Sequence, residues 1–470
     1  MPGVVIIDKY DIVIIGGGPG GYTAAIRAAL KGAKVAVVEN DKLGGVCLNR
    51  GCIPSKALIA SAIQYKKAKE AATYGINLTS PPTCDWGAMR ARKDKIVAGL
   101  VGGIGQLFKS HGVDHYQGFG RIVSANEIAV IDRAGVETRL AADNIIVATG
   151  SRSADLPGIP IDGQQVVTSD HMFELEKLPS SILIIGAGVI GCEWAFMLSH
   201  LDVKVTIVEM LDHALPMEDE NSSKLIEREL KKLKVGLNLG SRVESLAVEK
   251  TGVTTTLTGG KTVEAEQVLV SVGRAFNTGD IGLEKAGVEL NENGSIKVGP
   301  DCRTAAPHIF AIGDVAGESL LAYTAVHDGT VAVDNALGGA AEKNYTCVPS
   351  VIFTHPEVAS VGLTQKKAAE RYDVGIGKYP LRALGKAHAE NEIAGEVMVI
   401  GDRKTDKLLG VHMVGAHATE IIHTAALSID RGLTVTELGS LTFAHPVISE
   451  ALMEAAHDFH SMSIHLARKR

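Results

Sequence analysis

Asp11-Ile12-Val13-Ile14-Ile15-Gly16-Gly17-Gly18-Pro19-Gly20-Gly21 runs a short apolar stretch into a string of glycines. The apolar stretch reads as a buried strand, the glycines as a tight turn, and the Ala-rich segment to about Leu30 as a helix. Lys34-Val35-Ala36-Val37-Val38 follows as a second strand and ends at Glu39. The same grammar returns over residues 181–209: Ile182-Leu183-Ile184-Ile185, then Gly186-Ala187-Gly188-Val189-Ile190-Gly191, a helix to about His200, and Lys204-Val205-Thr206-Ile207-Val208 ending at Glu209. In both copies the acid stands 18 positions after the last glycine of the motif. A bound dinucleotide asks for this arrangement. The first glycine (Gly16, Gly186) makes the turn, and the second (Gly18, Gly188) admits the pyrophosphate to a helix N-terminus. The third (Gly21, Gly191) lets helix pack on strand, and the acid accepts from ribose hydroxyls. One glycine string is weak evidence. Two, each between strand and helix and each with its distal acid, predict an α/β chain with two Rossmann-like dinucleotide-binding domains.

A few residues beyond Glu39 lies Gly44-Gly45-Val46-Cys47-Leu48-Asn49-Arg50-Gly51-Cys52-Ile53-Pro54-Ser55-Lys56. A regular helix would hold Cα atoms five residues apart at about 8.6 Å, whereas a disulfide needs about 4.4–6.8 Å. If Cys47 and Cys52 pair, the backbone there leaves helical geometry, which Gly51 permits. So short a loop makes a poor staple, which favours a redox couple over a strut. The spacing also admits two free thiols or half of a metal site, but no second Cys/His pair at zinc spacing completes one. A thiol couple and two dinucleotide sites imply an electron relay. Only a flavin passes electrons between hydride and thiol chemistry, so the first site is expected to take FAD and the second NAD. Glu209 is followed by Met210-Leu211-Asp212. The carboxylate repels a 2′-phosphate and no arginine there receives one, which selects NAD over NADP.

Composition fits this picture and removes others. The chain has 470 residues, 46% hydrophobic and 21% charged, with 52 glycines, enough for two to four domains. Aromatics make up 4% and the net charge is −7, which offers neither stacking platforms nor a basic footprint for nucleic acid or anionic membrane. Six cysteines in this length are too few for a disulfide scaffold. No run of 18 apolar residues occurs, since the best, from Ile182 to Leu198, is broken by Glu193. Met1-Pro2-Gly3-Val4-Val5-Ile6-Ile7-Asp8 lacks a basic n-region and does not read as a signal peptide. The expectation is a soluble protein of a reducing compartment, the cytoplasm.

Three further stretches complete the reading. Asn144-Ile145-Ile146-Val147-Ala148-Thr149-Gly150-Ser151 and Gln267-Val268-Leu269-Val270-Ser271-Val272-Gly273-Arg274 are buried strands ending in small-residue turns. His308-Ile309-Phe310-Ala311-Ile312-Gly313-Asp314 ends another strand on an acid suited to a polar flavin tail. From about Val348 the glycine strings stop and mixed strands alternate with helices, as in a separate α+β domain. There Phe443-Ala444-His445-Pro446-Val447-Ile448-Ser449-Glu450 sets a histidine and a glutamate five apart around a Pro-initiated helix start. Thiol–disulfide exchange needs a base, because only the thiolate attacks. Histidine suits that work, and Glu450 could hold its other ring nitrogen.

Together with Phe353-Thr354-His355-Pro356-Glu357-Val358-Ala359, these pieces resemble the class I pyridine nucleotide–disulfide oxidoreductases over essentially the whole chain. The wording from Leu48 to Lys56 is that of the lipoamide branch. The resemblance implies an FAD flavoprotein homodimer that reoxidises dihydrolipoyl groups on the lipoyl domains of a 2-oxoacid dehydrogenase or glycine-cleavage type complex and gives NADH. It implies that Cys47 is the interchange thiol facing substrate and Cys52 the thiol against the flavin, with Lys56 by the flavin ring and paired with Glu193 near the nicotinamide. It implies that His445 and Glu450 act on the other subunit's cysteines. Gly120, Thr149, Gly150, Ser151, Asp314 and Ala322 join the expected flavin contacts, and Val243 and Gly273 the NAD contacts. Domain order is expected as FAD-binding (residues 1–153), NAD-binding (154–274), return to the FAD/central unit (275–347) and C-terminal dimerisation domain (348–470). The chain departs from the family pattern twice: Ala322-Tyr323-Thr324-Ala325 stands for Ala-His-Lys-Ala, and Phe443-Ala444-His445-Pro446 for His-Ala-His-Pro. Two rival readings are another disulfide reductase of the same family and a non-catalytic nucleotide-binding subunit. Against a mercuric reductase, no cysteine follows Cys347. Against the scaffold, Cys47, Cys52, His445 and Glu450 are all present.

Overall fold

The structure, a computed structural model, describes residues 6–467. The stretch 1–5, most of the segment read for a signal peptide, and residues 468–470 lie outside the described residues. The first glycine motif is built as its sequence predicts. Strand Ile6–Ile15 leads into helix Pro19–Leu30, and strand Val35–Glu39 returns parallel to it with Ile12 opposite Val35. Strand Glu137–Val147 pairs on the other side, also parallel, with Ile15 opposite Val147. Strands Asp114–Gln117 and Ile309–Ala311 extend the parallel part. Continuous apolar runs are what a parallel sheet covered on both faces requires. Ile12, Ile14, Val35, Val37 and Ile146 fill one face, while Val13, Ile15, Ala36, Val38, Ile145 and Val147 fill the other. The sequence reading did not foresee strands Phe119–Ser124 and Glu127–Ile131, which close the seven-stranded sheet as an antiparallel meander.

The second motif repeats the design in a five-stranded parallel sheet. Its order is Gly236–Asn238, Lys204–Val208, Ser181–Ile185, Gln267–Val270, Val166–Thr168. Helix Val189–His200 covers one face. A three-stranded antiparallel sheet (Val243–Glu249, Gly252–Leu257, Thr262–Ala265), also unforeseen, covers the other through Val253, Leu257 and Ala265. The chain leaves the first sheet along Ser151–Ser153 and comes back along Arg274–Phe276. These two crossings pair antiparallel with Arg274 opposite Ser153.

The last part is a five-stranded antiparallel sheet ordered Ser350–Ile352, Glu357–Gly362, Leu408–Gly415, Glu396–Asp402, Val374–Pro380. Helices Ala418–Asp430 and Glu450–Phe459 cover it with Ile422, Ala425, Leu452 and Ala455 packed on Val397, Val399, Val411 and Met413. One expectation is corrected here. The final helix begins at Glu450, with Ser449 as its N-cap, and not at Pro446. Residues 445–449 form an irregular turn in which Glu450 accepts the Val447 N–H at 3.0 Å. The carboxylate takes up a backbone donor that has no carbonyl partner ahead of the helix. Among the described residues no helix is long and apolar enough to cross a membrane, and no three His, Cys, Asp or Glu side chains are grouped to hold a metal ion.

Candidate active site

The two glycine turns have nearly superimposable bonding. Gly16 N–H donates to Val38 O and Gly186 N–H to Val208 O, each at 2.8 Å. Both glycines sit in the left-handed region, at φ +108° and +104°, and a Cβ on either would run into the carbonyl of Ala148 or Ser271. The third glycines are packing residues. A Cβ on Gly21 would lie 1.9 Å from Gly16 O, and one on Gly191 would lie 2.0 Å from Gly186 O. The second glycines differ in kind. A Cβ on Gly18 would find only Gly45 Cα, at 3.9 Å, and one on Gly188 nothing within 4 Å. The distal acids repeat too. Glu39 accepts from Gly17 N–H (2.7 Å) and Asp41 N–H (2.6 Å), and Glu209 from Ala187 N–H (2.7 Å) and Leu211 N–H (2.9 Å). A carboxylate has about four lone-pair sites, so each keeps capacity for hydroxyl donors.

The redox stretch is docked on the first of these turns. Gly44 N–H donates to Gly17 O at 2.7 Å, and a Cβ on Gly45 would come within 2.7 Å of Gly18 Cα. Helix Gly45–Arg50 then stops at Gly51, and helix Cys52–Lys69 starts in a new direction. Gly51 is closely packed there, since a Cβ would lie 3.0 Å from Val46 O and 3.2 Å from Cys47 Cα. Across this break Cys47 and Cys52 form a disulfide, with Cα atoms 4.7 Å apart, inside the range such a bond needs and far below the helical spacing. One turn on, Lys56 Nζ donates to both Glu193 oxygens, at 2.9 and 3.0 Å, and lies 4.5 Å from the Phe353 ring centroid. Glu193 also accepts from Phe353 N–H at 3.0 Å. One ion pair thus joins a helix of the first unit, a helix of the second and the first strand-end of the third.

These features face one cleft of about 2250 Å³, well beyond the roughly 300–1,000 Å³ of a typical single-ligand site. Gly16, Gly18, Glu39, Cys47, Cys52, Lys56, Gly120, Thr149, Gly150, Ser151, Asp314 and Ala322 line it. So do Gly186, Gly188, Glu193, Glu209, Val243 and Gly273. Gly21 and Gly191 do not line it, in keeping with their packing position. His445 and Glu450 do not line it either. Their own geometry is tight: His445 Nδ1 lies 2.9 Å from Glu450 Oε1, with the imidazole 82% exposed. Burial pushes the Glu450 carboxyl up, but the His445 bond, the Val447 N–H and the charges of His445 and His465 outweigh it and hold it below its ordinary value.

Sequence reasoning missed some of the wall. Arg274 donates to the Ser151 hydroxyl at 2.6 Å and carbonyl at 2.8 Å and lies 3.7 Å from Asp314, which the Ser151 hydroxyl also reaches. Its position next to Gly273 was the available signal. Arg50 pairs with Asp41 at 2.8 Å, tying the redox helix to the loop after Glu39. Of the two departures from the family pattern, the first is settled locally: Tyr323 donates to Pro349 O, and Thr324 is buried and bonded to Leu321 O at 2.7 Å. Both side chains are satisfied by nearby backbone.

Residues 10–329 match the pyridine nucleotide-disulphide oxidoreductases, and residues 348–456 match the dimerisation domain of the same family. A dihydrolipoyl dehydrogenase of Bacillus subtilis is 43% identical over 97% of this chain and 99% of its own length. A mitochondrial dihydrolipoyl dehydrogenase of Arabidopsis thaliana is 40% identical over 98% of this chain and 92% of its own. Among solved structures, LpdA of Mycobacterium tuberculosis superposes with a TM-score of 0.89 at 30% identity, covering 96% of this chain and 99% of that one.

Proposed function

The chain belongs to the pyridine nucleotide-disulphide oxidoreductase family, and from that premise we propose that it is a dihydrolipoyl dehydrogenase working as a homodimer with FAD in its first site and NAD in its second. The reaction is dihydrolipoyl group plus NAD+ giving lipoyl group, NADH and a proton. The observation that carries this is the Cys47–Cys52 disulfide set across a broken helix, in a cleft walled by both glycine turns. The open second glycines, the uncapped starts of helices Pro19–Leu30 and Val189–His200 and the spare lone pairs of Glu39 and Glu209 suit two dinucleotides. Bound FAD supplies the two-electron link between dithiol and nicotinamide.

Each residue has its own part in the exchange. A dihydrolipoyl thiol gives its proton to His445, and the thiolate attacks Cys47 Sγ. The Cys47–Cys52 bond breaks and Cys52 leaves as a thiolate. The second lipoyl thiol passes its proton to the departing Cys47 as its sulfur closes on the first, leaving lipoyl disulfide, a Cys47 thiol and a Cys52 thiolate, two electrons richer. Glu450 holds the Nδ1 side of the imidazole so that Nε2 faces the thiol. Lys56, fixed by Glu193, keeps a cation beside the pair. Because His445 lies off the cleft of its own chain, it serves the cysteines of the other copy. Residues 154–274 form the NAD unit, hung on the paired crossings at Ser153 and Arg274, between the FAD segments 1–153 and 275–347. Residues 348–470 form the dimer interface. The lipoyl carrier is a domain of a 2-oxoacid dehydrogenase or glycine-cleavage type complex, and the setting is the cytoplasm. The test is anaerobic reduction with one equivalent of NADH: a long-wavelength thiolate-to-flavin band supports the reading, and bleaching of the flavin without that band contradicts it. NAD+ reduction by dihydrolipoamide then separates this activity from other disulfide reductions.

A further inference from the structure

Helix Ala322–Ala336 carries an acid with no part in the scheme above. Asp328 is 3% exposed. Its helix packs on the first nucleotide helix so closely that a Cβ on the neighbouring Gly329 would lie 3.0 Å from Gly20 O. A carboxylate at such depth is costly unless it is bonded, and Asp328 is bonded at both oxygens. Oδ2 accepts the Gly313 N–H at 3.2 Å, and Oδ1 accepts the Tyr345 hydroxyl. Burial pushes the carboxyl up, against the pull of Tyr345, the Gly313 N–H and Lys343.

The contacts of Asp328 give it a task. Gly313 stands in the left-handed region at φ +68°, so the chain turns sharply there, and the next residue, Asp314, lines the cleft. The Asp314 carboxylate is held from one side by Ser151 and Arg274. Those contacts fix the side chain, while the backbone that carries it is held on either side of Gly313 by Ile312 N–H on Val147 O at 3.0 Å and by Gly317 N–H on Asp314 O at 2.8 Å. Asp328 adds the partner for the N–H between those two bonds, that of Gly313, the residue immediately before Asp314.

We propose that Asp328 is a positioning residue for the flavin: through the Gly313 N–H it fixes the turn that presents Asp314 to the cleft, and the Tyr345 hydroxyl keeps the Asp328 carboxylate in place. The proposal rests on the reading of the first site as the FAD site. A buried acid serving stability alone would look similar in a static structure, so the experiment measures FAD affinity and apoprotein stability separately. FAD is stripped from the full-length protein, the apoprotein is titrated with FAD by fluorescence quenching, and its thermal unfolding is recorded.

Asp328→Ala should weaken FAD by about 10- to 150-fold, the factor corresponding to a charge-assisted hydrogen bond of about 1.5–3 kcal/mol. Asp328→Asn keeps an oxygen for Gly313 and can offer its NH2 to the Tyr345 oxygen, so it should stay within about threefold of wild type. Tyr345→Phe should fall between them, at about fivefold. In the double variant Asp314→Ala/Asp328→Ala, FAD should bind no more weakly than in Asp314→Ala, because Asp328 acts through Asp314. FAD affinity within about threefold of wild type in Asp328→Ala overturns the proposal, as does a double variant in which the two losses add. If Asp328→Ala does not fold, Tyr345→Phe decides: binding within about twofold of wild type overturns the proposal, and weaker binding on an equally stable apoprotein supports it. Failure of the wild-type apoprotein to bind FAD would instead remove the flavin reading itself.

Discussion

Two glycines three residues apart in the same motif should fail in opposite ways. Gly188 has an extended backbone, φ −73° and ψ −171°, that any residue adopts, and a Cβ there meets nothing within 4 Å. Gly188→Ala should therefore leave the fold intact or stabilise it slightly, by about 0.4–1 kcal/mol through the unfolded chain. Its methyl group, however, fills the space at the start of helix Val189–His200 that the glycine keeps open. Losing one charge-assisted phosphate contact there costs about 1.5–3 kcal/mol, or roughly 10- to 150-fold in NADH binding. Gly191→Ala reverses the pattern. Its Cβ would sit 2.0 Å from Gly186 O and 3.1 Å from Ser271 Oγ, both part of the turn and the adjoining strand-end. With a backbone oxygen at 2.0 Å the upper end of overpacking applies, about 3 kcal/mol, of which the helix preference of Ala over Gly returns up to about 1. The melting temperature should drop by roughly 2–8 °C for a unit of this size. Calorimetry and NADH titration of the FAD-loaded protein read the two quantities apart, since the first glycine turn is untouched in both variants. NADH affinity within about threefold of wild type in Gly188→Ala, or an unshifted melting point in Gly191→Ala, would refute the division of labour between the glycines.

Other outcomes are expected from the same geometry. Glu209→Ala should weaken NAD by about 10- to 150-fold and narrow the gap to NADP, measured as the ratio of Michaelis constants; an unchanged NAD constant would defeat the assignment. Alkylation before NADH should leave Cys47 unmodified and after NADH should label it ahead of Cys52, as mass spectrometry would show. His445→Gln should cost lipoamide turnover about 10²–10⁴-fold while sparing flavin reduction by NADH, and mixing Cys47→Ser with His445→Gln subunits should recover one working site per heterodimer. For acid stability the informative group is Glu454. Burial pushes its carboxyl up, but Ser463, His465 and the Ile464 N–H bring it below the ordinary 4.5. Its folded value is depressed, so its stabilisation is complete above the ordinary value and fades as pH falls through the folded one. The melting gap between wild type and Glu454→Gln should accordingly be widest above about pH 5 and close on acidification.

How much the sequence disclosed tracks how local the cause is. The glycine turns, their strands and the acids at Glu39 and Glu209 were legible because one short segment contains all the atoms involved. The break at Gly51 was legible for the same reason. The antiparallel strands over residues 119–131 and 243–265 were not, because their burial is partial and their pairing is decided by the sheets they lean on. Arg274 and Asp328 were hidden for a different reason. Each works on a partner outside its own motif, Arg274 on Ser151 and Asp328 on Gly313, and neither sits in a pattern that announces the partner. Pro446 misled because a proline near a helix start normally occupies its first turn, whereas here the Glu450 carboxylate, bonded to His445 and to Val447 N–H, sets where the helix begins.

The duplication also explains why the disulfide lies where it does. Both glycine turns have the same bonds, the same open second glycine and the same doubly bonded acid, so neither turn is chemically marked as the one that serves thiols. What sets the two copies apart for thiol chemistry is what the chain carries beyond the acid. After Glu39 the chain turns back through Gly44 and Gly45 onto Gly17 and Gly18, which places the Cys47–Cys52 pair at the first site. After Glu209 it also returns, with Leu215 N–H on Ala187 O at 2.8 Å, but brings no cysteine there and moves on to Asp219 and the amphipathic helix Glu220–Lys232. The Lys56–Glu193 pair then holds the helix that begins at Cys52 against the helix that begins beside Gly188, so both sites open into one cleft. His445 does not line that cleft and is exposed on the one part of the chain that matches a dimerisation domain. Under the proposed function a second copy is part of the chemistry: one chain assembles the electron path, and the other brings the group that takes the proton.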